Sequence, residues 1–197
     1  MTSWLNRMSG RTRYMVCRIM IHLAGDEIAP LLGLLNEKGR EAIDAEGDLQ
    51  VLGEGLVEIC QNLLQMNLYW FSVANEGDVL WKEEEAGNYV TELFTDSAQR
   101  YLSEPNYGKP VGENESFSIP ITHNLVVMIT IAATGETPAL ETSLGDREGL
   151  EDALKAIINL HYQGRLEAIQ VQFSPAQFGD ELTNDQLLLN FPELVPL

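Results

Sequence analysis

Apolar and polar side chains alternate strictly from Tyr14 to Ala24, with Met15, Cys17, Ile19, Ile21 and Leu23 on one side and Val16, Arg18, Met20 and His22 on the other. A sustained period of two predicts a strand near 14–24 with one strongly apolar face. Gly25 closes it. Asp26 is placed to cap a helix over 26–43 that presents Ile28, Leu31, Leu32 and Leu35, with Pro30 tolerated in its first turn. The three- and four-residue spacing of Val51, Leu52, Leu56, Ile59, Leu63 and Met66 predicts a second helix over 48–66. An aromatic run, Leu68 to Val73, predicts a strand near 68–74. Asn75-Glu76-Gly77-Asp78 reads as a turn, after which Val79-Leu80-Trp81 returns, giving a short hairpin or an extended strand with a capping loop. A third helix over 83–102 has Tyr89, Val90, Leu93, Phe94 and Tyr101 as its apolar side.

The stretch from Glu104 to Asn114 is rich in Gly, Pro and Asn and reads as an internal connection. Phe117 to Ile121 is a short extended piece. Leu125 to Ala133 is apolar on both faces, which predicts a central strand near 125–133. Gly145-Asp146 precedes a helix over 147–162, ended by Gly164. Ile169, Val171 and Phe173 alternate with Ala168, Gln170 and Gln172 in a strand near 166–173, stopped by Pro175. Thr183 to Gln186 is a capping box that opens a short helix over 185–190.

This order of elements predicts an α+β protein with a split βαβ, ferredoxin-like sheet of four strands. The first and third strands would be central, and the extra helices would be inserted in the first half. The competing arrangement is a parallel sheet confined to the second half, beneath a helical first half. Residues 14–197 form one α+β domain in this reading, preceded by a basic and apolar segment, residues 1–13.

The chain has 197 residues with 12 basic and 30 acidic side chains, a net charge of −18. That balance excludes a general nucleic-acid binder, because phosphate neutralisation needs a basic surface. Residues 1–25 carry four arginines and no acid, leaving 8 basic and 30 acidic residues in the remainder. In the first ten residues Trp4, Leu5 and Met8 share a face at helical spacing, with Arg7 beside them. The pattern suits either a docking segment for a protein or anionic membrane surface, or a frayed end folding back on the acidic body. The longest apolar run, Leu125 to Ala133, is far below the ~20 residues of a membrane span. No apolar signal region follows the first arginine, so a cytoplasmic protein is expected.

The residues that carry chemistry do not assemble into a motif. His22, His123 and His161 lack a second ligand at metal spacing and read as surface or cap histidines. Cys17 falls on an apolar strand face and Cys60 beside Ile59, the positions of buried structural thiols. No nucleophile elbow, phosphate loop or dinucleotide glycine pattern is present. Glu83-Glu84-Glu85 reads as a solvated first helical turn. No catalytic, cofactor-binding or metal-binding residue is assigned. The aromatic cluster Tyr69, Trp70, Phe71 and Trp81 is either a core anchor or an exposed recognition patch, since Trp and Tyr bury much area with few torsions to freeze.

The ending of the chain has the most recognisable wording: Ser174-Pro175, Gly179-Asp180-Glu181-Leu182-Thr183, Asp185-Gln186-Leu187-Leu188 and Phe191-Pro192-Glu193-Leu194-Val195-Pro196-Leu197. It resembles a cyanobacterial and plastid family catalogued as a domain of unknown function, number fifteen-seventeen, which includes a plastid protein of fluctuating-light acclimation. Leu63-Leu64 followed by Tyr69-Trp70 is similar to the family's Leu-Leu-x-x-x-x-Tyr-Trp signature. The resemblance spans roughly residues 14–197. It implies regulation around photosynthetic membranes and transfers no catalytic residue.

The expected function is therefore that of a soluble, non-enzymatic accessory protein acting through protein–protein contacts in a photosynthetic cell, with a photosynthetic complex or assembly as partner. No cofactor and no nucleic acid are expected. Candidate partner contacts are Trp4, Leu5, Arg7, Met8, Tyr69, Trp70 and Trp81. The alternatives are a ligand binder or enzyme with an acidic cleft, and a peripheral thylakoid-membrane protein. A homodimer by strand addition at Leu166–Phe173, or at the first strand, is also expected as a candidate.

Overall fold

The computed structural model describes residues 12–100, 123–176, 180 and 182–197. The segment 1–11, the connection near 104–114 and the extended piece 117–121 lie outside the described residues, as does the expected end of the third helix beyond residue 100.

The elements run β1 (Tyr14–Ala24), α1 (Ala29–Asp44), α2 (Leu49–Gln65), β2 (Trp70–Leu80), α3 (Glu83–Gln99), β3 (Asn124–Thr134), α4 (Arg147–Tyr162), β4 (Leu166–Ser174), α5 (Asn184–Asn190) and β5 (Val195–Pro196). Asp48 caps α2 through the amides of Gln50 and Val51, and Asp146 caps α4 through that of Gly149. Thr183 and Gln186 close the expected capping box. Asp26 does not cap α1. Its Oδ1 lies 2.7 Å from Nδ1 of His123, and α1 starts after Ile28 without a side-chain cap.

Among the described residues the sheet has five strands in the order β4-β3-β1-β2-β5, and every neighbouring pair is antiparallel. The protein is α+β with β1 and β3 central. The order is not that of the ferredoxin-like sheet, in which each helix-linked pair of strands is separated by another strand. Here the α1–α2 pair joins neighbours β1 and β2, and α4 joins neighbours β3 and β4; the path through α3 crosses one strand, β1, and the path through α5 runs from one edge of the sheet to the other. β1 is therefore an interior strand and offers no edge for strand addition.

Nor do Asn75–Asp78 turn. They continue β2, pairing with Ile19, Arg18, Cys17 and Val16. The long central β1 is a template for them, and Asn75 finds partners outside the strand: its amide donates to Thr142 O and its Oδ1 accepts from Leu144 N, each at 2.8 Å. Gly77 fits because a Cβ there would collide with the Val16 carbonyl oxygen.

Alternation along the strands builds two interiors. The odd face of β1 (Met15, Cys17, Ile19, Ile21, Leu23) packs with Val127, Ile129 and Ile131 of β3 under α1, α2 and α4, forming the main core.

The even face carries two smaller apolar clusters. Val16 and Ala132 lie against Ala86, Val90 and Leu93 of α3. Met20 and Met128 lie with Leu187 and Phe191 at α5. β3 is buried from Leu125 to Ala133, as expected of a central strand covered on both sides.

Candidate functional site

A polar rung separates the two even-face clusters. The register sets Arg18 opposite Glu76 on β2 and Thr130 on β3, and Thr130 opposite Gln170 on β4. Arg18 is 2% exposed. A buried guanidinium needs both charge and hydrogen-bond partners. It has them in Glu76, Asp96 Oδ2 at 2.5 Å and Ser97 Oγ at 2.9 Å. Arg100 extends the network from Asp96 (2.7 Å) to Glu193 (2.7 Å) and to the Asn190 carbonyl (3.0 Å), tying α3 to the end of the chain. Burial pushes the Asp96 carboxyl up, but hydrogen bonds from Arg18 and Arg100 outweigh it and hold it below the usual range. A hydrogen bond from Arg100 does the same to Glu193. Among the described residues Thr130 Oγ1 and Gln170 Oε1 are buried with no hydrogen-bond partner.

A second buried chain crosses the same face. His22 Nε2 meets Asn124 Oδ1 at 3.0 Å, and Asn124 Nδ2 donates to Leu182 O at 3.0 Å. That makes Oδ1 the acceptor and assigns the proton of a neutral His22 to Nε2. Nδ1 then accepts from the Ser72 hydroxyl at 3.1 Å. Burial lowers the His22 pKa, partly offset by the Asn124 bond. His22 is thus an interior histidine, not the surface or cap histidine its alternating pattern suggests. The signal missing from the sequence is the pairing of residues 22, 72 and 124, which only the sheet register brings together.

The cysteines are inert thiols by position. Burial pushes Cys17 up to about 12 and raises Cys60 further. His161 ends α4 with its ring against Gly53 of α2. Among the described residues no group of three or more His, Cys, Asp or Glu side chains converges as metal ligands.

The aromatic cluster divides. Trp70 is a core residue, 2% exposed, and its Nε1 donates to Leu63 O at 3.1 Å. It is unavailable as a partner contact. Tyr69 is half-buried, with its hydroxyl donating to Glu27 Oε2 at 2.8 Å. Phe71 is the extra residue of a bulge where Leu23 pairs with Trp70 and His22 with Ser72; it is 60% exposed and edge-on to His22. Trp81 is 39% exposed. Along the chain it lies between the exposed Asp78 and the exposed Glu83, Glu84 and Glu85 that open α3. Lys82 in this stretch is paired with Glu85 at 2.5 Å. Trp4, Leu5, Arg7 and Met8 lie outside the described residues.

The model of the family described as a protein of unknown function, DUF1517, matches residues 13–197. The chain belongs to the DUF1517 family. No curated protein and no solved structure matches it. In this DUF1517 chain the Leu63-to-Trp70 wording has a physical basis: the indole bonded to the Leu63 carbonyl fastens the end of α2 to the start of β2. The ending Phe191 to Leu197 likewise holds the chain to the sheet. Phe191 is buried, Val195 and Pro196 pair with β2, and Leu197 N donates to Phe71 O at 3.0 Å. Among the described residues no helix is long and apolar enough to cross a membrane.

Proposed function

We propose that the chain is a non-enzymatic accessory protein that works by contact, using the exposed Trp81 and the carboxylates around it to hold a basic segment of a protein partner. The observation that carries this reading is the exposed Trp81 flanked along the chain by the exposed Asp78, Glu83, Glu84 and Glu85, where the neighbouring lysine is already paired. An indole face attracts Lys and Arg, and it gives an interface a rigid anchor. Surrounding acids steer a basic partner in and discourage acidic ones. The net charge of −18 acts in the same direction at longer range. Contact rather than turnover is favoured because the thiols are buried and protonated, and His22 is held neutral between Ser72 and Asn124.

The family resemblance suggests a photosynthetic cell as the setting and a photosynthetic complex or assembly as the partner. The chain would work in the cytoplasm, with any thylakoid contact peripheral and carried by residues 1–13. Capture from a native lysate tests the reading with wild type and a Trp81→Ala, Glu83→Gln, Glu84→Gln variant. A partner retained by wild type, lost by the variant and released above about 0.5 M salt supports it. Equal retention by both proteins overturns it.

A further inference from the structure

β4 is the outer strand of the sheet, paired with β3 on one side. Among the described residues nothing bonds to Leu166–Phe173 from the other side. An open edge is a row of unpaired amides and carbonyls, usually protected by charge, proline or a bulge. Here those devices sit at the ends. Glu167 lies at the register shift opposite Ala132 and Ala133, and Pro175 follows the strand. Between them Ala168-Ile-Gln-Val-Gln-Phe173 is free of charge and proline, in a chain of net −18. Uncharged runs of this length and β-propensity are templates for another strand.

The main-core face of the run is also incomplete. On the main-core side Ile169, Val171 and Phe173 are only partly buried. They border an apolar groove of ≈ 210 Å³ whose other walls are α1 and α2, including Leu35, Val51 and Ile59. On the opposite side Gln170 and Gln172 carry no charge.

We propose that β4 is the seam of a homodimer, in which a second copy adds its own β4 antiparallel across a two-fold axis. Directly facing residues must project from the same side of the sheet, so the axis passes through a residue and not between two. Gln170 and Val171 are the centres that keep the pairing within the uncharged run. An axis at Gln170 sets Gln170 against its own copy and Ile169 against Val171. An axis at Val171 sets Gln170 against Gln172 and Ile169 against Phe173. Either way the apolar row continues across the seam beside the two grooves. A second copy fits this edge better than a charged partner because the edge is neutral and self-complementary, whereas the rest of the surface is acidic.

Sedimentation of the full chain from about 1 to 100 µM tests this. A reversible dimer is expected that tightens as salt rises from about 0.05 to 0.5 M, since screening relieves repulsion between two acidic copies. Gln170→Glu with Gln172→Glu adds four like charges at the seam and should weaken the dimer at least tenfold. As a second probe that leaves the strand neutral, Gln170→Cys or Val171→Cys, whichever lies on the axis, should form a cross-linked dimer under mild oxidation. A chain monomeric throughout, a dimer indifferent to the glutamates, or no cross-link from either cysteine overturns the proposal. Its fate is separate from that of the basic partner: Trp81→Ala leaves the dimer intact, and salt acts on the two contacts in opposite directions.

Discussion

Arg18, in the middle of the sheet, places its Nη1 2.5 Å from Oδ2 of Asp96 on α3. The cation is buried, while the Asp96 and Glu76 side chains each remain 41% exposed. Removing the cation therefore differs from removing the anions. Arg18→Met leaves two carboxylates that water can reach and should cost less than ~2 kcal/mol. Glu76→Ala with Asp96→Ala leaves a buried guanidinium unpaired and should cost about 3–5 kcal/mol. Urea unfolding of the variants checks the order; equal losses would contradict it.

Thr130 Oγ1 is buried on the same rung without a hydrogen-bond partner among the described residues. Thr130→Val keeps the shape and removes the unsatisfied hydroxyl. It is expected to stabilise the protein by about 1 kcal/mol, read as a higher urea midpoint at unchanged slope.

Stability should fall on acidification in two stages. Burial depresses the His22 pKa, so the unfolded chain takes up the proton first. That contribution is complete above the unfolded value of ~6.5 and is lost as pH falls from there through the folded pKa. His22→Gln should flatten this stage. Asp96, Glu141 and Glu193 are also depressed, chiefly by hydrogen bonds from arginines. Their contribution is present above ~4 and is lost as pH drops further. Thermal melts of wild type and His22→Gln across this range separate the stages.

Two glycines should respond differently to alanine. At Gly77 the obstacle is backbone, the Val16 carbonyl oxygen in the path of the added Cβ. Gly77→Ala should cost about 1–3 kcal/mol by forcing β1 and β2 apart. At Gly53 the obstacle is the His161 ring, which can swing toward solvent, and alanine gains up to ~1 kcal/mol of helix propensity. Gly53→Ala should fall near zero, and calorimetry would show whether the contrast holds.

Trp70 tests the corner between α2 and β2. Trp70→Phe keeps most of the apolar contact and loses the bond to Leu63 O, with an expected cost of about 1–2 kcal/mol. Trp70→Ala should cost about 3–5 kcal/mol. Binding to a basic partner should be unaffected by Trp70→Phe and abolished by Trp81→Ala, because of the two indoles only that of Trp81 reaches solvent. Titration of the two variants with a lysine-rich peptide would reveal the split.

Elements set by local periodicity were legible in the chain itself. The alternation of Met15 to Leu23, the two-sided apolar run Leu125–Ala133 and the capping box at Thr183 depend on neighbours a few residues away, and each is where the pattern predicts it. Tertiary structure decided the rest. Asn75–Asp78 have turn chemistry, yet a long central strand and distant partners for Asn75 draw them into β2. Trp70 and Trp81 are chemically alike, and only the packing of α2 on the sheet buries one and leaves the other in solvent. Likewise the pairing of Arg18 with Asp96, and of His22 with Ser72 and Asn124, follows from strand order and register. Those are settled by long-range burial, which no local spacing encodes.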